Sequence, residues 1–350
     1  MTENHAGDGG NVGWGDYGDS STRGGNGGKG GALWLHGGSL LWDGGTLSGN
    51  STGKGGGKLQ GLQSGGAAAP GGDGGGIYAT AANITLSHLA ILANRTGDGG
   101  DSGPFSSTYE MPAGGRGGDG GGIFVSGTSF AATNLILAGN ATGNGGKGSD
   151  APYGGSYDAF GGDGGRGGMG GAIYANVPSF ELTNVTIFGN ETGNGGAGGR
   201  NDDGDGGSGG AGGKGGGIAL WNGTLLQRNV TNSGNRLGHG GPRGQESEED
   251  GEDGTGGAIF GSNGSLDSAD SNTWDNGLNA FTGLPDPTGT DGNISVDPRF
   301  VDTTGDDPLA WDLHLSSDSP LIDAGDPAIL DSDGSRSDIG AYGGPGGDWE

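Results

Sequence analysis

The chain has 350 residues, 96 of them glycine and 13 proline, with 29% hydrophobic residues and no cysteine. Without a period, that mix reads as a low-complexity chain, so a fold must come from repetition. The net charge of −27, from 15 Lys+Arg against 42 Asp+Glu, excludes the basic footprint of a nucleic-acid or anionic-membrane binder, and the lack of cysteine excludes disulfides and thiolate metal sites.

The opening residues Met1-Thr2-Glu3-Asn4-His5 are polar and do not read as a signal peptide. Residues 1–23 are expected as a polar segment ahead of the repeats, and no apolar stretch approaches a membrane span.

From residue 24 a repeat emerges. A Gly-Gly or Gly-Ala pair leads into an aliphatic anchor at Leu33, Ile77, Ile123, Ile173, Ile218 and Ile259. An asparagine follows each anchor at the same distance: Asn50, Asn94, Asn140, Asn190, Asn235 and Asn276. The stretch from each asparagine to the next anchor varies in length. A constant core with insertions at one point predicts a solenoid whose insertions leave from one face. Within the core, Leu40, Ile84, Phe130, Phe180, Leu225 and Leu266 share a column, and Leu47, Ile91, Leu137 and Ile187 share another. Alternation with period two predicts short strands. The expected fold over 24–280 is therefore all-β: a right-handed parallel β-helix of about six coils. The six asparagines are expected to stack about 4.8 Å apart as a side-chain ladder at a corner. Asn134, Asn184 and Asn229 form a second column, also expected as a corner ladder.

Glycine triplets precede the anchors, as in 161–172 and 206–217, locked in frame to the strand that follows. Period three with glycine at two of three positions predicts polyglycine-II-like legs stacked on one edge of the solenoid. The third residues Lys29, Asp73, Asp119, Met169 and Lys214 carry mixed charges, which predicts a solvated rim. Between the legs lie tip segments with Tyr109, Tyr153, Tyr157 and Phe160, the candidate binding residues. The acidic run from Glu246 to Asp253 breaks the triplet pattern and reads as a solvated loop, with calcium binding as the sharper alternative.

Residues 281–350 are expected to cap the last coil, since bare strand edges need cover. There Asp331, Asp333 and Asp338, on a glycine-containing turn, are candidate ligands for calcium, the one cofactor considered.

The coil consensus of residues 170–190 (Gly-Gly-Ala-Ile-Tyr, then Leu-Thr-Asn-Val-Thr-Ile-Phe-Gly-Asn) resembles the right-handed β-helix repeats of bacterial surface proteins of the polymorphic outer-membrane type. Asp297–Asp302, Ser319–Gly325 and Asp331–Ala341 resemble the closing segment of secreted choice-of-anchor Q proteins. The glycine triplets resemble polyglycine-II bundles of a springtail antifreeze protein and some phage adhesins. These resemblances imply an extracellular or cell-surface protein and are specific for fold more than for function.

Outward columns supply no catalytic set: Glu181 and Arg228 are the nearest approach to an acid and a base, and glycosidase chemistry needs two spaced carboxylates. The expectation is a non-catalytic adhesion or scaffold protein that binds a cell-surface glycan or protein, or self-associates into filaments or matrix. A polysaccharide-lyase-like enzyme and an ice-binding protein are the alternatives.

Overall fold

The computed structural model describes residues 1–11, 24–57, 68–103, 112–151, 160–201, 205–245, 249–277 and 279–349. All regular structure among them is β, and no helix is long and apolar enough to cross a membrane.

Two parallel ladders share one sheet. The first joins β1 (Leu33–His36), β3 (Ile77–Thr80), β5 (Ile123–Ser126), the start of β7 (Ile173–Phe188), the start of β8 (Ile218–Ser233), β9 (Ile259–Gly261) and β12 (Phe281–Thr282). The second joins β2 (Ser39–Ser48), β4 (Asn83–Leu92), β6 (Ser129–Ala138), the rest of β7 and β8, then β10 (Gly264–Ala269) and β11 (Asn272–Trp274). The anchors pair directly, Leu33 with Ile77, Ile77 with Ile123, and so on to Ile218 with Ile259. The sheet curls into a half-barrel, compatible with a β-helix-like fold.

The second ladder bends at a column of left-handed residues, Gly44, His88, Asn134, Asn184, Asn229 and, between β10 and β11, Asp270. Pairing skips that position. Alternation then turns Ile84, Phe130 and Phe180, and on the far side of the bend Leu89, Leu135 and Val185, into one core, where Phe130 and Phe180 meet edge to face at 5.3 Å. Toward the C-terminal end the core becomes polar. Leu182 is followed in register by Gln227 and then Ser268, and the Gln227 amide donates to the Ser268 hydroxyl at 2.7 Å.

The C-terminal region packs against the sheet at two places. Ile294 bridges to Asn272, and the buried Asn293 side chain bonds Ser268 at that end. After that the chain runs back along the outside of the sheet through an antiparallel pair, β13 (Phe300–Asp302) and β14 (Asp312–Leu315). It covers Ile136, Ala138 and Phe188 with Leu313, Trp311, Ala341 and Tyr342. The run Leu135-Ile136-Leu137-Ala138 is apolar on both faces, the mark of a strand buried on both sides.

Residues 1–11, expected as part of a separate polar segment, lie against residues 46–57. The Glu3 amide donates to the Ser48 carbonyl (3.0 Å), that of Ala6 to Ser51 (3.0 Å) and that of Gly9 to Lys54 (2.8 Å).

Candidate functional site: glycine legs and an ionic–aromatic seam

The glycine segments are packed and hydrogen bonded in three directions. One direction crosses between facing legs. The Gly196 amide donates to Gly165, Gly165 to Gly146 and Gly146 to Gly115, each at 2.8 Å, and this relay continues from Gly251 at one end to Gly10 at the other. A second direction runs between equivalent legs of successive coils, as from Gly114 to the Asp163 carbonyl (2.9 Å) and from Gly164 to that of Ser208 (2.9 Å). In the third, the side chain of the non-glycine residue accepts from the next coil. The Asn144 amide donates to the Asp98 carboxylate (2.7 Å), Asn194 to Asn144 Oδ1 (2.8 Å) and His239 to Asn194 Oδ1 (2.7 Å). A bare glycine leg would leave those amides open, which gives the many Asp and Asn residues here a structural role.

Close approach explains the glycines. A Cβ at Gly165 would lie 2.0 Å from the Gly115 carbonyl oxygen, whereas one at Gly7 or Gly10, on an outermost leg, meets nothing within 4 Å. The same logic accounts for the acidic run. Residues 246–248 lie outside the described residues, but Glu249–Gly254 continue the bundle: Gly209 donates to the Glu249 carbonyl and Gly212 to that of Glu252 (3.0 and 2.8 Å). This outer leg has room for Cβ atoms on its free sides, so one glycine per triplet, Gly251 and Gly254, is enough. It is an edge of the bundle, where the exposed Asp250 and Asp253 each accept an amide of the facing leg, from Arg243 and Gly240 (2.9 Å each).

The six corner asparagines stand in one buried file. Asn50 Nδ2 donates to Asn94 Oδ1 (2.8 Å), Asn94 to Asn140 (3.0 Å), Asn140 to Asn190 (2.9 Å), Asn190 to Asn235 (2.9 Å) and Asn235 to Asn276 (2.8 Å). Asn4 adds a member through its bond to Asn50 Oδ1 (2.8 Å). The left-handed residue at this corner is the one before each asparagine, among them Gly49, Ala93, Gly139 and Gly189, and not the asparagine itself. Beside the file, Thr96, Thr142 and Thr192 hydroxyls each donate to a glycine carbonyl of one leg and accept a glycine amide of the next coil. The second column behaves otherwise. Asn134, Asn184 and Asn229 do adopt the left-handed conformation, but their amides hold the returning C-terminal segment: Asn134 donates to the Ala341 and Gly343 carbonyls, while Asn184 and Asn229 donate to the Ser337 hydroxyl. It is a docking strip, not a ladder.

The expected solvated rim is a buried ionic seam. Asp73 and Asp119 are 1% and 4% exposed. Each carboxylate accepts the next coil's amide, from Asp119 (3.0 Å) and from Met169 (2.8 Å). Lys29 and Arg116 pair with Asp73 (2.9 and 3.0 Å), and Arg116 and Arg166 pair with Asp119 (2.8 and 3.0 Å). Beside the seam runs a stack of half-buried rings. Tyr78 lies 4.9 Å from Phe124, and Phe124 lies 4.8 Å from Tyr174, nearly parallel. Burial works to raise the Asp73 pKa, but the charges of Arg116 and Lys29 outweigh it and hold the carboxyl below its usual range. Burial, with Asp119 nearby, pushes the Tyr174 phenol up to about 12. A depressed folded-state pKa means that Asp73 contributes stability above the unfolded carboxylate value near about 4, and that this contribution is lost as pH falls through the folded value. Asp73→Asn is therefore expected to cost about 2–3 kcal/mol at pH 7, reduced from a fully buried pair because Lys29 and Arg116 are each a third exposed. Denaturant unfolding at pH 7 and pH 3 checks this. The gap between wild type and variant should be smaller at the lower pH.

Of the expected binding residues, Phe160 is 55% exposed, while Tyr109, Tyr153 and Tyr157 lie outside the described residues. Asp331, Asp333 and Asp338 are engaged locally. Asp331 accepts the amides of Asp338 and Gly344, Asp333 accepts the amide and hydroxyl of Ser335, and Asp338 accepts the amide of Asp323. Among the described residues no three His, Cys, Asp or Glu side chains gather as a metal-holding group. Glu181 and Arg228 are two residues out of register. Glu181 accepts from Ser179 (3.1 Å), and Arg228 pairs with Asp267 (2.9 Å). A groove of about 950 Å³ lies between the asparagine corner and the returning segment, with Glu191, Arg236 and Trp311 on its walls.

No protein-family model, curated protein or solved structure matches the chain.

Proposed function

We propose that this chain is a non-catalytic, extracellular scaffold of the adhesion type: a right-handed parallel β-helix of about six coils, along one edge of which polyglycine-II-like legs stack and present the segments between them to a partner. The observation that carries this reading is the hydrogen-bond relay through the legs from Gly251 to Gly10. A loop whose amides are bonded in three directions has lost the flexibility of a glycine linker and behaves as a rigid support. Rigid supports that carry variable segments are a common design for recognition, because little ordering entropy remains to be lost on binding. The partner proposed is a cell-surface glycan or protein. Lateral addition of a second copy at the Glu249–Gly254 edge is opposed by Glu249, Asp250, Glu252 and Asp253, a usual way to protect an exposed edge.

The test is retention and turnover together. Purified chain incubated with a panel of insoluble and soluble polysaccharides is expected to be retained on at least one of them without releasing products. Cleavage of any of them would overturn the reading in favour of an enzyme.

A further inference from the structure

The seam and the ring stack are regular over three coils and then fail at one place. The ring column reads Trp34, Tyr78, Phe124, Tyr174, Ala219 and Phe260 in register. In the acidic column Met169 follows Asp73 and Asp119, each bonded to the next. In the arginine column Ala211 follows Arg116 and Arg166, as the carbonyls of Arg116, Arg166 and Ala211 accept from Gly71, Gly117 and Gly167 in turn. A ring, an acid and a guanidinium are thus replaced by two alanines and a methionine side by side.

Trp221 comes over the buried Ala219, but it sits 6.5 Å from both Tyr174 and Phe260, compared with the 4.8 Å spacing between Phe124 and Tyr174. The stretched stack and the leg beside it flank an open pocket of about 310 Å³ lined by Tyr174, Trp221, Phe260, Arg166, Met169 and Lys214, among others. Lys29, the first member of the same column, has Asp73 as its partner. Lys214 has no acidic partner among the described residues and lies over the Phe260 ring at 5.1 Å. In a chain of net charge −27, an ammonium without a counter-charge, lying over the Phe260 ring in a pocket that Tyr174 and Trp221 also line, is an unusual local choice.

We infer that this pocket binds an acidic sugar residue, with the pyranose C–H face on Trp221 and Phe260 and the carboxylate on Lys214. The volume is at the lower end of the range for small-molecule pockets and holds about one or two sugar rings. Aromatic platforms supply the apolar contact area, and an ammonium–carboxylate bond supplies the choice of an acidic over a neutral sugar. The inference deepens the glycan-binding reading and rests on it only for the ligand's class.

Calorimetric titration of the intact chain with trigalacturonate and with its methyl ester tests the assignment. One saturable site is expected for the acid, weakened at least about tenfold by esterification and by Lys214→Met, and weakened further by added salt. Ala211→Trp should fill the pocket from an outward, half-buried position and also abolish binding. Thermal midpoints of both variants should stay near wild type, and if Ala211→Trp fails to fold, Lys214→Met decides alone. Absence of saturable binding, equal binding of the ester, or binding that Lys214→Met leaves unchanged would overturn the inference. If the chain is still retained on polysaccharides in any of those cases, the adhesion reading stands and only this site falls. If nothing is retained, both fall.

Discussion

Replacing Gly165 with alanine is expected to destabilise the chain by at least about 3 kcal/mol, while the same change at Gly10 leaves stability within about 0.5 kcal/mol of wild type. At Gly165 the new Cβ meets the Gly115 carbonyl oxygen at 2.0 Å and its carbon at 2.6 Å, both backbone atoms. No rotamer change can relieve that contact, so the two legs must separate. Separation also stretches the bonds from Gly165 to Gly146 and from Gly196 to Gly165, both 2.8 Å. Gly10 ends the same relay but faces open space with an ordinary backbone conformation. Alanine there loses nothing and narrows the unfolded ensemble. Denaturant midpoints for the two variants measure the difference, and equal effects would mean that the legs do not pack.

The second large effect is expected from Asn140→Ala, a loss of about 3–5 kcal/mol. Asn140 is fully buried. Its Nδ2 donates to Asn190 Oδ1 (2.9 Å) and to the Ile91 carbonyl (2.8 Å), and its Oδ1 accepts from the Asn94 side chain and backbone amide (both 3.0 Å). Truncation strands several buried donors and acceptors at once, each with a desolvation penalty of about 1–3 kcal/mol before relaxation. Asn140→Asp separates hydrogen bonding from size. It keeps the shape and the acceptor but turns the donor into an anion facing two carbonyl-type oxygens, so it should be worse than alanine at pH 7 and partly recover in acid as the carboxyl gains a proton. Thermal unfolding across pH 4 to 8 would read this crossover. A variant no less stable than wild type would mean that the file contributes no net stability.

Much of this arrangement was legible because it repeats. The anchors Leu33 to Ile259 and the inward columns through Phe130 and Phe180 follow from period two and a constant spacing, since a strand has only two faces to choose between. What was missed depends on contacts that repetition does not encode. Asp73 and Asp119 look like rim residues in any single triplet, and only their stacking beside Arg116 and Arg166 makes burial tolerable. The second asparagine column reads as a ladder by analogy with the first, yet its partners are residues 337–343, far away in sequence. A signal for that docking was present in the doubly apolar run Leu135–Ala138. A signal for the N-terminal leg was present too. Asn4, Gly7, Gly9 and Gly10 repeat the spacing of Asn50, Gly53, Gly55 and Gly56 without the threonine that follows Asn50, Asn94, Asn140 and Asn190. The acidic stretch after Glu249 misleads for a related reason, since a leg at the edge of a bundle needs fewer glycines than one inside it.

Hydrogen exchange at single-residue resolution tests the packed-leg account most directly. The amides of Gly115, Gly146, Gly165 and Gly196 should be protected about as strongly as those of the core strands β6 and β7, since each is buried in the relay and opens only with its neighbours. Exchange of those glycines within seconds at neutral pH, while the strands stay protected, would show flexible linkers instead and contradict the account.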